Sequence, residues 1–136
     1  MSFDALSGYH DSKLNSVNSK NKLGELLLSF HDENGDERVI ILHDCNIFRV
    51  NDFNSQNVVS RIIIFYGENI DTEYVVSKLL WASSMSDSSS FLKNDKIFSI
   101  IEKIKKRYLS LLFLEPSYGA EIVALFSAMD EKTHKI

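Results

Sequence analysis

Polar and apolar positions change character at Leu23. Before it, Ser2, Ser7, Ser12, Ser16 and Ser19 stand among Asn, Asp and Lys, and the apolar residues are too scattered for a helical stripe. Residues 1–22 are therefore expected to form a flexible or lightly packed arm, with residues 23–136 as one domain. From Leu23 onward Leu26, Leu28 and Phe30 alternate with their neighbours. The run Asp32-Glu33-Asn34-Gly35-Asp36-Glu37 then breaks the pattern, and Val39-Ile40-Ile41-Leu42 follows. Asn-Gly suits both positive-φ positions of a type I′ turn, which predicts a two-residue hairpin loop. Its register pairs Glu33 with Asp36, His31 with Arg38, Phe30 with Val39 and Leu28 with Ile41, so that Leu28, Phe30, Val39 and Ile41 share a face.

Residues 46–50 and 58–66 are further strand candidates. The β-branched residues Val58, Val59, Ile62, Ile63 and Ile64 favour strand over helix, and the short connections imply an antiparallel meander. Beyond Gly67 the period changes. Asp71 suits an N-cap, Glu73 falls in the first turn, and Ile70 can staple onto Val75. Val75, Val76, Leu79, Leu80 and Ala82 form a stripe to about Met85, where the serine-rich stretch 83–90 ends the helix. A second helix is expected from Asn94, carrying Ile97, Ile101, Ile104 and Tyr108 at helical spacing. Residues 109–114 read as a buried strand stopped by Pro116 rather than a continuation of that helix. Residues 120–128, with Ile122, Val123, Leu125 and Phe126, read as a final helix. The pattern thus predicts a single α+β domain: an antiparallel sheet of four or five strands with about three helices packed on it.

Composition narrows the class. At 136 residues the chain can bury a core without staples, and 44% apolar with 25% charged residues fits a globular protein rather than a disordered or membrane-spanning one. The longest apolar runs fall far short of the ~20 residues that span a bilayer. Residues 1–22 lack the basic-then-apolar order of a secretory signal, and the lone Cys45 fits a reducing compartment, so the expected location is cytoplasmic. The net charge of −4 opposes dedicated nucleic-acid binding. That charge is unevenly spread: up to Leu92 there are 7 basic and 13 acidic residues, and after it 8 basic and 6 acidic. The basic group Lys93, Lys96, Lys103, Lys105, Lys106 and Arg107 reads as the solvated face of an amphipathic helix.

Candidate chemistry is sparse. Asp32, Asn34 and Asp36 match the first, third and fifth positions of a calcium loop, but Glu37 stands where glycine is required and His43 where a bidentate Glu is required. His10, His31, His43 and His134 show no zinc spacing. No Gly-x-Ser-x-Gly, phosphate-loop or dinucleotide fingerprint occurs, so neither a cofactor nor a metal is expected and no catalytic residue is assigned. The enzymatic alternative rests on Cys45 with His43, which a regular strand would place on one face. Trp81 reads as a half-buried residue at the core edge, or as an interface anchor.

Two stretches carry a resemblance: Phe48-Arg49-Val50-Asn51-Asp52-Phe53, continuing through Gln56-Asn57-Val58-Val59-Ser60-Arg61, and Glu115-Pro116-Ser117-Tyr118-Gly119-Ala120-Glu121. They resemble patterns in small bacterial proteins, some of which are similar to immunity proteins of contact-dependent growth inhibition and polymorphic toxin systems. The resemblance implies a non-enzymatic protein that binds and neutralises a cognate toxin domain, with no membrane and no specific nucleic acid as partner. An acidic surface would complement a basic toxin. Asp32, Glu33, Asp36 and Glu37 are the expected contacts, with Trp81 as a further anchor. An adaptor or chaperone using the N-terminal arm and the basic helix is the other binding alternative.

Overall fold

In the computed structural model, which describes residues 3–84 and 89–135, the chain runs β1 (Phe3–Ala5), β2 (Lys13–Lys20), β3 (Glu25–His31), β4 (Glu37–His43), β5 (Ile47–Asn51), β6 (Val58–Phe65), α1 (Thr72–Ala82), α2 (Asn94–Lys105), β7 (Ser110–Tyr118), β8 (Glu121–Phe126) and β9 (Ala128–His134). All pairings are antiparallel, in the order β5-β8-β7-β6-β2-β3-β4-β9, with β1 beside β6. The two ends of this order meet. Glu37 to His43 pair with His134 to Ala128, and Ile47 to Asn51 pair with Leu125 to Glu121, so β4–β5 and β9–β8 are two long bent strands in one ladder. The sheet therefore closes on itself as a barrel, which removes most of the open edges a nine-stranded sheet would otherwise present.

Alternation along the strands divides the apolar residues between two cores. Leu26, Leu28, Phe30, Ile40, Leu42, Ile62, Ile64, Leu112, Leu114, Ile122 and Ala124 face inward and fill the barrel. The intervening Ile63, Phe65, Leu111, Phe113, Val123 and Leu125 face outward, under α1 and α2. Val75 and Leu79 of α1 and Ile100, Ile101 and Ile104 of α2 cover them. Each such fully buried aliphatic side chain contributes ~1.5–3 kcal/mol of transfer free energy. Asp71 caps α1 as expected, its carboxylate accepting the Tyr74 amide at 3.2 Å. At the end of α2 the Tyr108 amide bonds the Lys103 carbonyl and the Arg107 amide bonds that of Ile104. This places Arg107 at φ 66°, a position where glycine is the unstrained choice.

The expected α+β architecture is corrected in three places. The sheet has nine strands rather than four or five, and the described residues contain two α-helices rather than about three. The segment expected as a final helix is strands β8 and β9. Its apolar run is continuous because Ile122, Ala124 and Phe126 fill the barrel while Val123 and Leu125 meet the helices, and burial on both faces erases the period of two. Residues 110–114 do belong to a strand, β7, but Pro116 does not stop it. The strand runs on to Tyr118 because Pro116 falls at a register irregularity against Val59.

The β3–β4 hairpin also differs in register. Observed pairs are His31 with Glu37, Phe30 with Arg38 and Leu28 with Ile40. Only Gly35 of the Asn-Gly pair has positive φ, at 83°. Asp32 makes the loop longer: its carboxylate accepts the amides of Asn34 and Asp36, both at 3.0 Å, and its carbonyl accepts that of Gly35. This is a type I turn with a glycine bulge. A shift of one residue exchanges the faces of β4, so Ile40 and Leu42 are buried and Val39 and Ile41 are not. The stretch 1–22, expected as an arm, supplies β1 and β2. Much of it is exposed, but Tyr9, Ser12 and Leu14 are buried.

Candidate partner-binding end of the barrel

One cross-strand row defines an end of the barrel. Tyr118 pairs with Val58, Val58 with Lys13, Lys13 with His31, His31 with Glu37 and Glu37 with His134. With neighbouring strands ~4.8 Å apart, the arc from Tyr118 to Glu37 is roughly 20 Å long. The β3–β4 turn, the connection at residues 6–12 and the loop at residues 52–57 all emerge at this end.

Acidic groups gather on one side of it. His10 and Asp11 from the connection and Glu33 from the turn are exposed, with ligand-type atoms within 4.8 Å of one another. The four expected acidic residues are not equivalent. Asp32 is committed to the turn's own amides, Asp36 and Glu37 are half-buried, and Glu33 is exposed. Asp11 joins them although it lies 22 positions before Glu33 in sequence, because loop 6–12 folds over the turn. Beneath these groups Tyr9 is fully buried with its ring edge-on to Phe30 at 5.0 Å. The Arg38 guanidinium lies 4.1 Å above the Tyr9 ring, and the Tyr9 hydroxyl donates to Glu131 at 2.8 Å. Burial first, and the Glu131 carboxylate second, push the Tyr9 hydroxyl far above its usual range.

Aromatic surface occupies the other side. Phe53 is 47% exposed and Tyr118 60%, and with Asp52 and Gly119 they line one depression. The buried side chain of Asn57 builds this feature. Its Oδ1 accepts the amides of Ala120 at 3.0 Å and Asn54 at 3.1 Å, and its Nδ2 donates to the carbonyls of Asn54 at 2.8 Å and Leu14 at 3.4 Å. Gly119 has φ +86°, and a Cβ there would meet Asn57 Oδ1 at 2.5 Å. The two stretches that carry the resemblance thus touch each other at Asn57. Sequence reading missed Phe53, Tyr118 and Asp11. Exposed aromatics have no local signature, and an aspartate in a serine-rich stretch looks like solvent-facing filler.

The remaining candidates lie elsewhere. Trp81 is half-buried on α1, with the Arg49 guanidinium of β5 4.3 Å from its ring and bonded to its carbonyl at 3.2 Å, so it sits where α1 packs on β5. Asp44, at φ 53°, breaks the strand between His43 and Cys45. Cys45 turns into the barrel core, 5% exposed, where burial pushes its thiol up to about 12. His43 turns outward between Asp130, 2.8 Å from Nε2, and Glu25, 3.2 Å from Nδ1. The hydrogen bond to Asp130 raises its pKa against a smaller opposing effect of burial. Both ring nitrogens are engaged by carboxylates, so the imidazole is not oriented to take a proton from the thiol.

These features define a closed antiparallel sheet with a two-helix layer and an acidic, aromatic end. No family model matches the chain, and no curated protein matches it. A solved structure described as that of an uncharacterized protein from Neisseria gonorrhoeae is similar to it, with TM-score 0.53 and 10% identity over 97% of this chain and 98% of that one. The likeness shows a shared fold across both chains. Among the described residues no helix is long and apolar enough to cross a membrane.

Proposed function

We propose that this chain is a non-enzymatic immunity protein, acting in the bacterial cytoplasm, that binds and neutralises a cognate, basic toxin domain. One observation carries the reading: the continuous row from Tyr118 to Glu37 puts an exposed aromatic pair and a cluster of carboxylates on one end of the barrel. Aromatic anchors supply most binding energy at protein interfaces, and rim charges set encounter rate and partner choice. The resemblance of the two stretches that meet at Asn57 points the same way. The enzymatic alternative is disfavoured by the burial of Cys45. The adaptor alternative is disfavoured by the position of residues 13–20 within the sheet.

The test pairs this chain with the polypeptide encoded by its neighbouring reading frame. Phe53→Ala/Tyr118→Ala, at exposed positions, is expected to leave stability within ~0.5 kcal/mol of wild type while weakening binding by about 30-fold or more. Asp11→Lys/Glu33→Lys is expected to slow association and flatten its salt dependence. A neighbouring product that neither binds nor is toxic, or binding that neither variant affects, overturns the proposal.

A further inference from the structure

At the opposite end of the barrel, where β1 and the end of β6 face the start of β9, lies a second concavity of about 310 Å³. Its floor is apolar: Leu6, Ile64, Phe126 and Met129. Ile64 and Phe126 belong to the barrel core, and Leu6 and Met129 pack against it. Its rim holds Asp4, Tyr66, Arg107, Ser110 and Ser127. The volume is at the small end of the ~300–1,000 Å³ typical of ligand sites, and barrel mouths are recurrent places for them.

The rim carries both charges, with Tyr66 between them. Asp4 stands opposite Ile64 in the β1–β6 ladder, so its side chain lies on the same face as Ile64, exposed at the mouth of the cleft. The Tyr66 hydroxyl donates to Asp4, and that bond is the main reason the Tyr66 pKa is raised. On the other side, the Arg107 guanidinium lies 4.8 Å from the centre of the Tyr66 ring. Arg107 is exposed, and its guanidinium also hydrogen-bonds the Tyr66 side chain. It also occupies a left-handed position in which glycine would be unstrained.

We infer that this cleft binds a free α-amino acid with an aliphatic side chain, its ammonium on Asp4, its carboxylate on Arg107 and its side chain on the apolar floor. A carboxylate ligand alone would meet the repulsion of Asp4, and a cation alone that of Arg107. A zwitterion with an apolar body satisfies both charges and the floor together. Ser110 and Ser127 stand at the rim as further polar groups.

The experiment titrates the full chain with L-leucine, 4-methylpentanoate and L-leucinamide, following the amide signals of Ile64, Phe126 and Met129 by NMR. L-leucine is expected to bind saturably, with each analogue, lacking one charge, weaker by about 10–100-fold. Arg107→Gln and Asp4→Asn are expected to weaken L-leucine by a similar factor. Asp4→Asn should also raise the affinity for 4-methylpentanoate relative to leucine. Thermal melts confirm that each variant is folded. No saturable shift with L-leucine up to about 10 mM overturns the inference. So does 4-methylpentanoate binding to wild type as tightly as leucine, which would mark a simple carboxylate site.

Discussion

Asn57→Ala is the most informative single substitution, because one side chain joins three separate segments. Two of its four hydrogen bonds, to the Ala120 amide and the Leu14 carbonyl, are buried. The two to Asn54 are only partly so, and Asn54 is exposed, so water can replace them. Leaving a buried polar group without a partner costs about 1–3 kcal/mol. The Ala120 amide, at 3.0 Å, falls in the upper part of that range, and the Leu14 carbonyl, at 3.4 Å, in the lower. The expected loss is about 3–4 kcal/mol. For a chain of 136 residues, at ~2.1 cal/mol/K of unfolding entropy per residue, this lowers Tm by about 10–14 °C. Urea unfolding measures the loss, and hydrogen exchange localises it: the Ala120 amide should lose protection well beyond the global change. A loss under about 1 kcal/mol, or unchanged protection at Ala120, would refute the assignment of Asn57 as the residue that fixes the aromatic end.

Other consequences follow from the same geometry. Gly119→Ala is expected to destabilise by about 1–3 kcal/mol, since its φ of +86° is strained for alanine and the new Cβ would approach the Gln56 carbonyl oxygen at 2.7 Å; urea midpoints check this. Cys45, with its thiol pushed up to about 12, should resist a thiol reagent at pH 8 in the folded protein and react promptly in urea; rapid native reaction would restore the enzymatic reading. His43, its pKa raised chiefly by the hydrogen bond to Asp130, stabilises the fold fully below its unfolded value of ~6.5 and loses that contribution as pH rises through the higher folded value. Urea midpoints of wild type relative to His43→Gln should therefore decline from about pH 6.5 upward, and a constant difference would dismiss the ion-pair role.

What the pattern disclosed and what it concealed have a common cause in burial. The start of α1 was legible because Asp71 and Glu73 are local signals whose physics operates within one helical turn. Strands with one solvated side also declared themselves, as β3 did through Leu26, Leu28 and Phe30. The strand β8 was illegible because both its sides are covered, and the continuous apolar run from Ile122 to Phe126 has no period to read. Register in β3–β4 depended on a single carboxylate: with Asp32 bonding two amides, the loop lengthens and every side chain of β4 changes sides.

The candidate site shows the same limit in another form. Glu33 was identified from its own surroundings, but its significance comes from Asp11, brought to it by the connection between β1 and β2. Phe53 and Tyr118 become neighbours only because Asn57 bonds across 63 residues to Ala120. The two resembling stretches are therefore one structural unit, in which the first supplies the bonding side chain and the second the glycine that admits it. Replacing either half alone removes the fit. Under the proposed immunity function, this preorganised pair of exposed aromatics would anchor the partner, and the acidic turn beside it would select it by charge.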